Sequence, residues 1–398
     1  MPNHSYSERE ARYYMQVVNR LPLELARGEG ARVYDRDGRE YLDLTAGWSC
    51  LNIGHSHPAV VAAIAEQAAK LTQMTNLFYT EPQLRLAEML VSNSALDRVF
   101  FTNSGAEANE GACKLARKWG RVKLGGAHEI ITALNSFHGR TLAMTAATGQ
   151  PEHQERWRPL TPGFINVPFD DVEAVKRATG PNTCAVLVEP VQGEGGVNVP
   201  SPDYLPALRR WCSQNNILLM LDEVQTGMGR LGALFGHQLL EGAEPDVMTL
   251  AKALGGGTPL GAFMCREACA VLEPGDHGST FGGNALTTAA GAATLELIIA
   301  DDLPRRAREM GALFKDAIAE LAARHRLVKG PRGVGLLLGI ELEEEQAADV
   351  VRRALEEGVI VNAVRPGTIR LLPPLTITAD EARGAMAALG RVFTDLEG

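Results

Sequence analysis

Short apolar runs, each closed by a polar or glycine-rich stretch, recur through the middle of the chain. Val99-Phe100-Phe101-Thr102, Ile130-Ile131-Thr132-Ala133, Ala185-Val186-Leu187-Val188, Ile217 to Leu221 and Val247 to Leu250 lack the polar alternation of a half-exposed strand. They predict strands buried on both faces. The stretches between them have room for helices, so the strands are expected to be mainly parallel and joined by crossovers. Ala289 to Ile299 predicts the start of a long helix leaving this unit. Beyond it, Gly335 to Ile340, Val359 to Val361 and Thr368 to Leu372 predict a second, smaller α+β unit. The N-terminal segment, with its turn at Asp35-Arg36-Asp37-Gly38, is expected to pack with that unit. The expected division is therefore a small domain formed by residues 1–55 and 289–398, the latter including the linking helix, around a large domain of residues 56–288.

Composition narrows the class. A chain of 398 residues, 45% hydrophobic and 22% charged, suits an ordinary soluble protein of two domains. Its net charge of −9 argues against nonspecific nucleic-acid binding, which needs a basic face. No apolar stretch approaches the roughly 20 residues of a membrane span. The polar N-terminus, Met1 to Tyr14, lacks the apolar core of a signal peptide. The six cysteines, at 50, 113, 184, 212, 265 and 269, show neither CxxC nor zinc spacing. They predict reduced thiols in a cytoplasm and no metal site, with Cys265 and Cys269 in core packing.

The chemistry gathers at the ends of the apolar runs. In an open α/β sheet, ligands bind outside the carboxyl ends of the strands. The run at 217–221 ends in Asp222-Glu223-Val224-Gln225, and the run at 247–251 ends in Lys252 followed by Gly255-Gly256-Gly257. A buried lysine loses hydration in its charged form and becomes a nucleophilic amine. An aspartate nearby can hold a protonated pyridine nitrogen. Together they point to a pyridoxal phosphate site, although strands ending in Asp or Lys are also common without any catalytic role. Asn103-Ser104-Gly105-Ala106-Glu107 opens an apparent helix in which Ser104 and Glu107 fit a capping box. Its N–H groups suit a phosphate, or simply cap a helix. In Ser136-Phe137-His138-Gly139-Arg140-Thr141, Phe137 can stack on a flat ring or sit in the core, and Arg140 can grip a carboxylate or face solvent. Glu189-Pro190-Val191-Gln192-Gly193-Glu194 places two carboxylates in a glycine-rich loop, able to act on a proton or pair with an arginine. Gly278-Ser279-Thr280-Phe281-Gly282-Gly283 offers hydroxyl and backbone donors for a phosphate, or a flexible turn.

Taken together, the segments NSGAEAN, SFHGRT, EPVQGEGGV, LDEVQTGMGR, AKALGGG and HGSTFGGN resemble the class III aminotransferases, whose fold is that of the fold-type I pyridoxal phosphate enzymes. The resemblance runs from Gly28-Glu29-Gly30 to Arg370-Leu371-Leu372-Pro373-Pro374. Asn76-Leu77-Phe78-Tyr79-Thr80-Glu81-Pro82-Gln83 resembles the acetylornithine branch. The resemblance implies that Lys252 binds the cofactor covalently and later moves a proton. It implies that Asp222 keeps the ring nitrogen protonated, Gln225 approaches the ring hydroxyl and Phe137 stacks on the ring. Ser104, Gly105 and Ala106 hold the phosphate, joined by Thr280 from a partner subunit. Arg140 takes the substrate carboxylate distant from the reacting amine, and Glu194 and Arg370 form a switchable pair. Ser279 and Trp48 belong to the same substrate pocket. A homodimer with shared active sites follows.

Two departures bear on the substrate. Trp48 stands where many relatives have a small or aliphatic residue, and is similar to the aromatic of ornithine and lysine-biosynthesis relatives. The stretch Val17-Val18-Asn19-Arg20 lacks a tyrosine carried by many acetylornithine enzymes. The expected reaction is transfer of the terminal amine of N2-acetylornithine to 2-oxoglutarate. The alternatives are succinylornithine, a lysine precursor, ornithine or 4-aminobutyrate as donor, more distantly an aminomutase or racemase, and last a non-enzymatic cofactor-sensing module, which would need a basic helix-turn-helix segment.

Overall fold

The computed structural model describes residues 5–398, so the first four residues of the polar N-terminal stretch lie outside it. Fifteen strands occur among the described residues: β1 (Leu25–Glu29), β2 (Arg32–Asp35), β3 (Glu40–Asp43), β4 (Arg98–Thr102), β5 (Glu129–Ala133), β6 (Phe164–Val167), β7 (Thr183–Val188), β8 (Leu218–Asp222), β9 (Val247–Leu250), β10 (Gly261–Cys265), β11 (Val328–Val334), β12 (Leu337–Leu342), β13 (Val359–Ile360), β14 (Asn362–Arg365) and β15 (Thr368–Leu371).

Seven of them form one sheet in the order β4-β10-β9-β8-β7-β5-β6. Its five-strand run from β9 to β6 is parallel, and the carboxyl ends of these strands share one edge. The five apolar runs of the sequence are β4, β5, β7, β8 and β9. β7, β8 and β9 are buried at every position, as runs without alternation require. The sequence pattern did not disclose β6 and β10. β10 is antiparallel to both neighbours. The link from Leu250 to Gly261 is too short for a crossover helix, so the chain turns back on itself. Cys265 closes β10 and Cys269 lies in the short turn after it. Both are buried in the core between this sheet and the helix Gly105–Lys123.

The long helix expected from Ala289 begins at Ala285, where the Asn284 side chain accepts the Thr287 N–H at 3.0 Å. It ends at Ala300. Asp302 adopts a left-handed conformation (φ 45°) before a second helix, Leu303–Arg324, which opens with Pro304. A four-stranded antiparallel sheet, β11-β12-β15-β14, follows. The N-terminal strands join the C-terminal region through β13, which runs parallel to β3.

One fully buried arginine ties these parts together beside the site. Arg230 donates to Ser49 Oγ at 2.9 Å, to Leu336 O at 3.0 Å and to Pro373 O at 2.6 Å, and also bonds Asn52. No carboxylate is among these partners, and burial lowers its pKa to about 9. It thus anchors the Trp48–Asn52 turn, the start of β12 and the exit of β15 to the loop after β8.

Candidate active site

A cavity of about 480 Å³ opens at the carboxyl edge of the seven-stranded sheet. Asp222 and Lys252 both line it. A larger groove of about 890 Å³ runs between the helices Pro58–Lys70, Glu81–Ser92 and Ala285–Ala300, but alanines and a rim of mixed charges line it, without comparable chemistry.

Lys252 follows β9 and holds a left-handed backbone (φ 45°), an unfavourable conformation for a side chain of its size. Gly256 and Gly257 (φ 56° and 101°) complete the turn that returns the chain as β10. Burial pushes the Lys252 amine below the ordinary lysine range. Glu194 partly offsets this and Arg370 reinforces it.

Asp222 ends β8 and is 3% exposed. Its Oδ2 accepts Asn109 Nδ2 at 2.7 Å and His138 Nδ1 at 2.8 Å, and its Oδ1 accepts the Val224 N–H at 3.0 Å. Asn109 is itself fixed, donating to His138 O at 2.9 Å and accepting from Thr249 Oγ1 at 2.7 Å. Three donors on one buried carboxylate lock its direction. Neither Asn109 nor His138 was assigned a role from sequence. The available signal for Asn109 was a polar residue on the small-residue face of its helix, beside Ala108 and Ala112, all buried.

Ser104 caps the helix Gly105–Lys123, accepting the Glu107 N–H at 3.2 Å. Only this half of the expected capping box forms. The Glu107 carboxylate reaches one residue further back, to Asn103 N at 2.6 Å. A Cβ on Gly105 would lie 2.9 Å from Val224 Cγ1, so only glycine lets the helix start approach the loop after β8. Ser104, Gly105 and Ala106 line the cavity at this positive helix end.

Phe137 and Arg140 come from the loop after β5. The Arg140 guanidinium lies 5.2 Å from the Phe137 ring centroid and 3.4 Å from His153 Nδ1. It is exposed and pairs with no carboxylate among the described residues. Arg370 is the opposite case. Its side chain is fully buried on β15, with Nη1 donating to Glu194 Oε1 at 2.6 Å and to Gln225 Oε1 at 3.2 Å, and Nη2 donating to Asn362 Oδ1 at 2.9 Å. Asn362, unmarked in the sequence, is its cross-strand neighbour on β14. Burial raises the Glu194 pKa, but Arg370, Lys252 and the Gln225 hydrogen bond together hold the carboxyl below the ordinary glutamate range. Gln225 therefore spans Arg370 and Glu194, to which its Nε2 donates at 3.4 Å. A Cβ on Gly193 would overlap its Oε1.

Not all expected residues meet in the cavity of their own chain. Arg370 stands behind Glu194 rather than on the lining. Trp48 is 56% exposed and outside the lining. Ser279 is nearby, its Oγ accepting Asn103 Nδ2 at 3.2 Å, but Thr280 is exposed and outside the lining.

The family model of the class-III aminotransferases matches residues 13–393. The chain belongs to the class III aminotransferases. It is 51% identical over 386 residues to an acetylornithine aminotransferase of Gloeobacter violaceus, covering 96% of each chain. It is 48% identical to one from Methanothermobacter thermautotrophicus over the whole of both. Among solved structures it is similar to an ornithine aminotransferase from Toxoplasma gondii (TM-score 0.94, 36% identity, 98% and 95% coverage) and to an acetylornithine aminotransferase from Elizabethkingia anophelis (TM-score 0.87, 34% identity, 98% of each chain). The protein is thus a pyridoxal phosphate-dependent aminotransferase of fold type I. The donor set suits that cofactor: a buried amine of lowered pKa, an acid fixed by three donors, a capped helix start narrowed by Gly105, and an aromatic side chain, all on one cavity.

Proposed function

We propose that the enzyme transfers the terminal amino group of N2-acetylornithine to 2-oxoglutarate, giving N-acetylglutamate 5-semialdehyde and glutamate in two half-reactions of arginine biosynthesis. The observation that carries this reading is the Arg370–Glu194 pair on the cavity that Arg140, without a carboxylate partner among the described residues, also lines. One pocket must accept a terminal amine flanked by methylenes, and also an α-amine flanked by a carboxylate. Arg140 takes the distant carboxylate of either substrate. Arg370 takes the near carboxylate of glutamate. Glu194 neutralises Arg370 when methylenes lie there, since a buried arginine without its carboxylate costs several kcal/mol.

When bound, pyridoxal phosphate supplies a carbonyl that condenses with amines and a ring that accepts electrons. Around it, Lys252 Nζ anchors the cofactor between turnovers and carries a proton to and from the carbon bearing the amine. Its depressed pKa keeps a fraction of the amine free to accept that proton. Asp222 holds a proton on the ring nitrogen, and Asn109, His138 and Val224 hold Asp222. Ser104, Gly105 and Ala106 would hold the phosphate, Phe137 would stack on the ring, and Gln225 would approach the ring hydroxyl.

The same reading makes the enzyme a homodimer in which Thr280 reaches the other subunit's phosphate site. The segment 73–83 supports it. Leu77, Phe78 and Tyr79 are 84%, 55% and 93% exposed, and Asn76 ties them to the Ser279–Gly282 loop through Ser279 O at 3.0 Å, beside the exposed Phe281. Such an apolar patch is suited to burial against a second copy. A mixture of Lys252→Ala and Thr280→Ala chains should then regain activity, because one site of each hybrid carries neither change. No helix among the described residues is long and apolar enough to cross a membrane. All six cysteines are unpaired, in keeping with a cytoplasmic enzyme.

A panel of amino donors with 2-oxoglutarate tests the substrate. Acetylornithine should give the highest kcat/KM among acetylornithine, succinylornithine, ornithine, 4-aminobutyrate and the lysine precursor. Preference for ornithine would favour the reading that Trp48 suggests. Turnover without any keto acid would point to an aminomutase or racemase.

A further inference from the structure

Glu189 has no part in the chemistry described so far, yet it forms cavity wall and is 6% exposed. It follows β7 directly. β7 and β8 pair in parallel up to Val188–Leu221, so Glu189 and Asp222 leave adjacent strands at the same level. Two carboxyl groups so placed compete for charge, and the loser keeps its proton. Donors decide the outcome. Asp222 has three; Glu189 has one, the Phe137 N–H at 3.2 Å, and its other oxygen has no hydrogen-bond partner among the described residues. Burial, with the charge of Asp222 added, pushes the Glu189 carboxyl well above the ordinary range. A carboxyl so placed favours its neutral form, with the oxygen not bonded to Phe137 free to carry the proton.

The strand order says what that O–H meets. Across the edge run β4, whose exit is the Ser104–Ala106 turn, then β10, β9 with Lys252, β8 with Asp222, and β7 with Glu189. Glu189 thus lies on the side of Asp222 away from the helix start. In pyridoxal phosphate, the phosphate arm and the phenolic oxygen flank the carbonyl on opposite sides of the axis through the ring nitrogen. With the nitrogen at Asp222 and the phosphate at Ser104–Ala106, the phenolic oxygen falls on the Glu189 side. We propose that Glu189 is a protonated acid that donates a hydrogen bond to the phenolic oxygen of the bound cofactor. It shares this oxygen with Gln225, whose side chain is already committed to Arg370 and Glu194.

The test uses the cofactor-loaded wild type and two variants, and reads the pH midpoint of the cofactor's visible absorbance together with cofactor retention on dialysis. Glu189→Gln keeps shape, neutrality and a donor, so midpoint and retention should stay within about 0.3 pH unit and about threefold of wild type. Glu189→Leu removes the donor, so the midpoint should rise and retention weaken about tenfold or more. An infrared carbonyl stretch of a protonated carboxylic acid should be present in wild type and absent in Glu189→Gln. A fall of about one unit or more in the Glu189→Gln midpoint would mean that an anion had been removed, and would overturn the proposal. So would a missing infrared band, or a Glu189→Leu enzyme with unchanged midpoint and retention. These readouts concern the cofactor alone, so they stand whichever amino donor the enzyme prefers.

Discussion

The two walls of the cavity are built on opposite principles. The wall around Asp222 comes from neighbouring strand exits and the helix start beside them. Its carboxylate is 3% exposed, and Asn109, His138 and Val224 fix it through bonds of 2.7 to 3.0 Å. The wall around Arg140, Glu194 and Arg370 comes from distant parts of the chain. One of its arginines is exposed and without a carboxylate partner among the described residues, and the other is fully buried against a glutamate that is itself partly exposed. The difference teaches a division of labour. Steps common to both half-reactions need fixed donors and gain from rigidity. Recognition of two unlike substrates needs a charge pair that exists in two states.

The comparison breaks if changes in the rigid wall act unequally on the two half-reactions. Lys252→Ala should abolish both, by about 10⁴-fold or more, since anchor and proton carrier are lost together. Borohydride reduction of the wild type should fix the cofactor to a peptide containing Lys252; labelling of another lysine would contradict the assignment. Asp222→Asn should lower both single-turnover rates by about 10³-fold, with folding and much of the cofactor binding retained, because an amide cannot hold the ring nitrogen protonated. Near-wild-type turnover would remove Asp222 from its role.

The adaptable wall should show smaller effects, mainly in binding. Arg140→Ala should raise the apparent dissociation constant of both substrates by about 10- to 100-fold, the range expected for losing charge-assisted hydrogen bonds. Damage to only one half-reaction would mean that Arg140 does not take the distant carboxylate of both.

The same division governed what the sequence disclosed. β7, β8 and β9 are buried on both faces, so their apolar runs were plain, and Asp222 and Lys252 stood out as ionisable groups at their ends. β6 and β10 escaped. β6 is only partly buried until its last residue, and β10 follows a glycine turn that hides its start. Ser104 was legible as a cap because capping is local, whereas Glu107 bonding Asn103 instead of Ser104 depends on side-chain reach. Asn109, His138 and Asn362 act through contacts with residues far away in the chain, or across a strand pair, and no spacing announces them. Arg370 and Glu194 are 176 positions apart, and only the resemblance to the family paired them.

The switch in the adaptable wall is the central claim, and Glu194→Ala tests it most directly. With the pair gone, Arg370 stays open to a carboxylate. Single-turnover rates should show the glutamate half-reaction held or improved. The acetylornithine half-reaction should weaken, because methylenes then face an unneutralised buried arginine. Equal losses in both half-reactions would contradict the account.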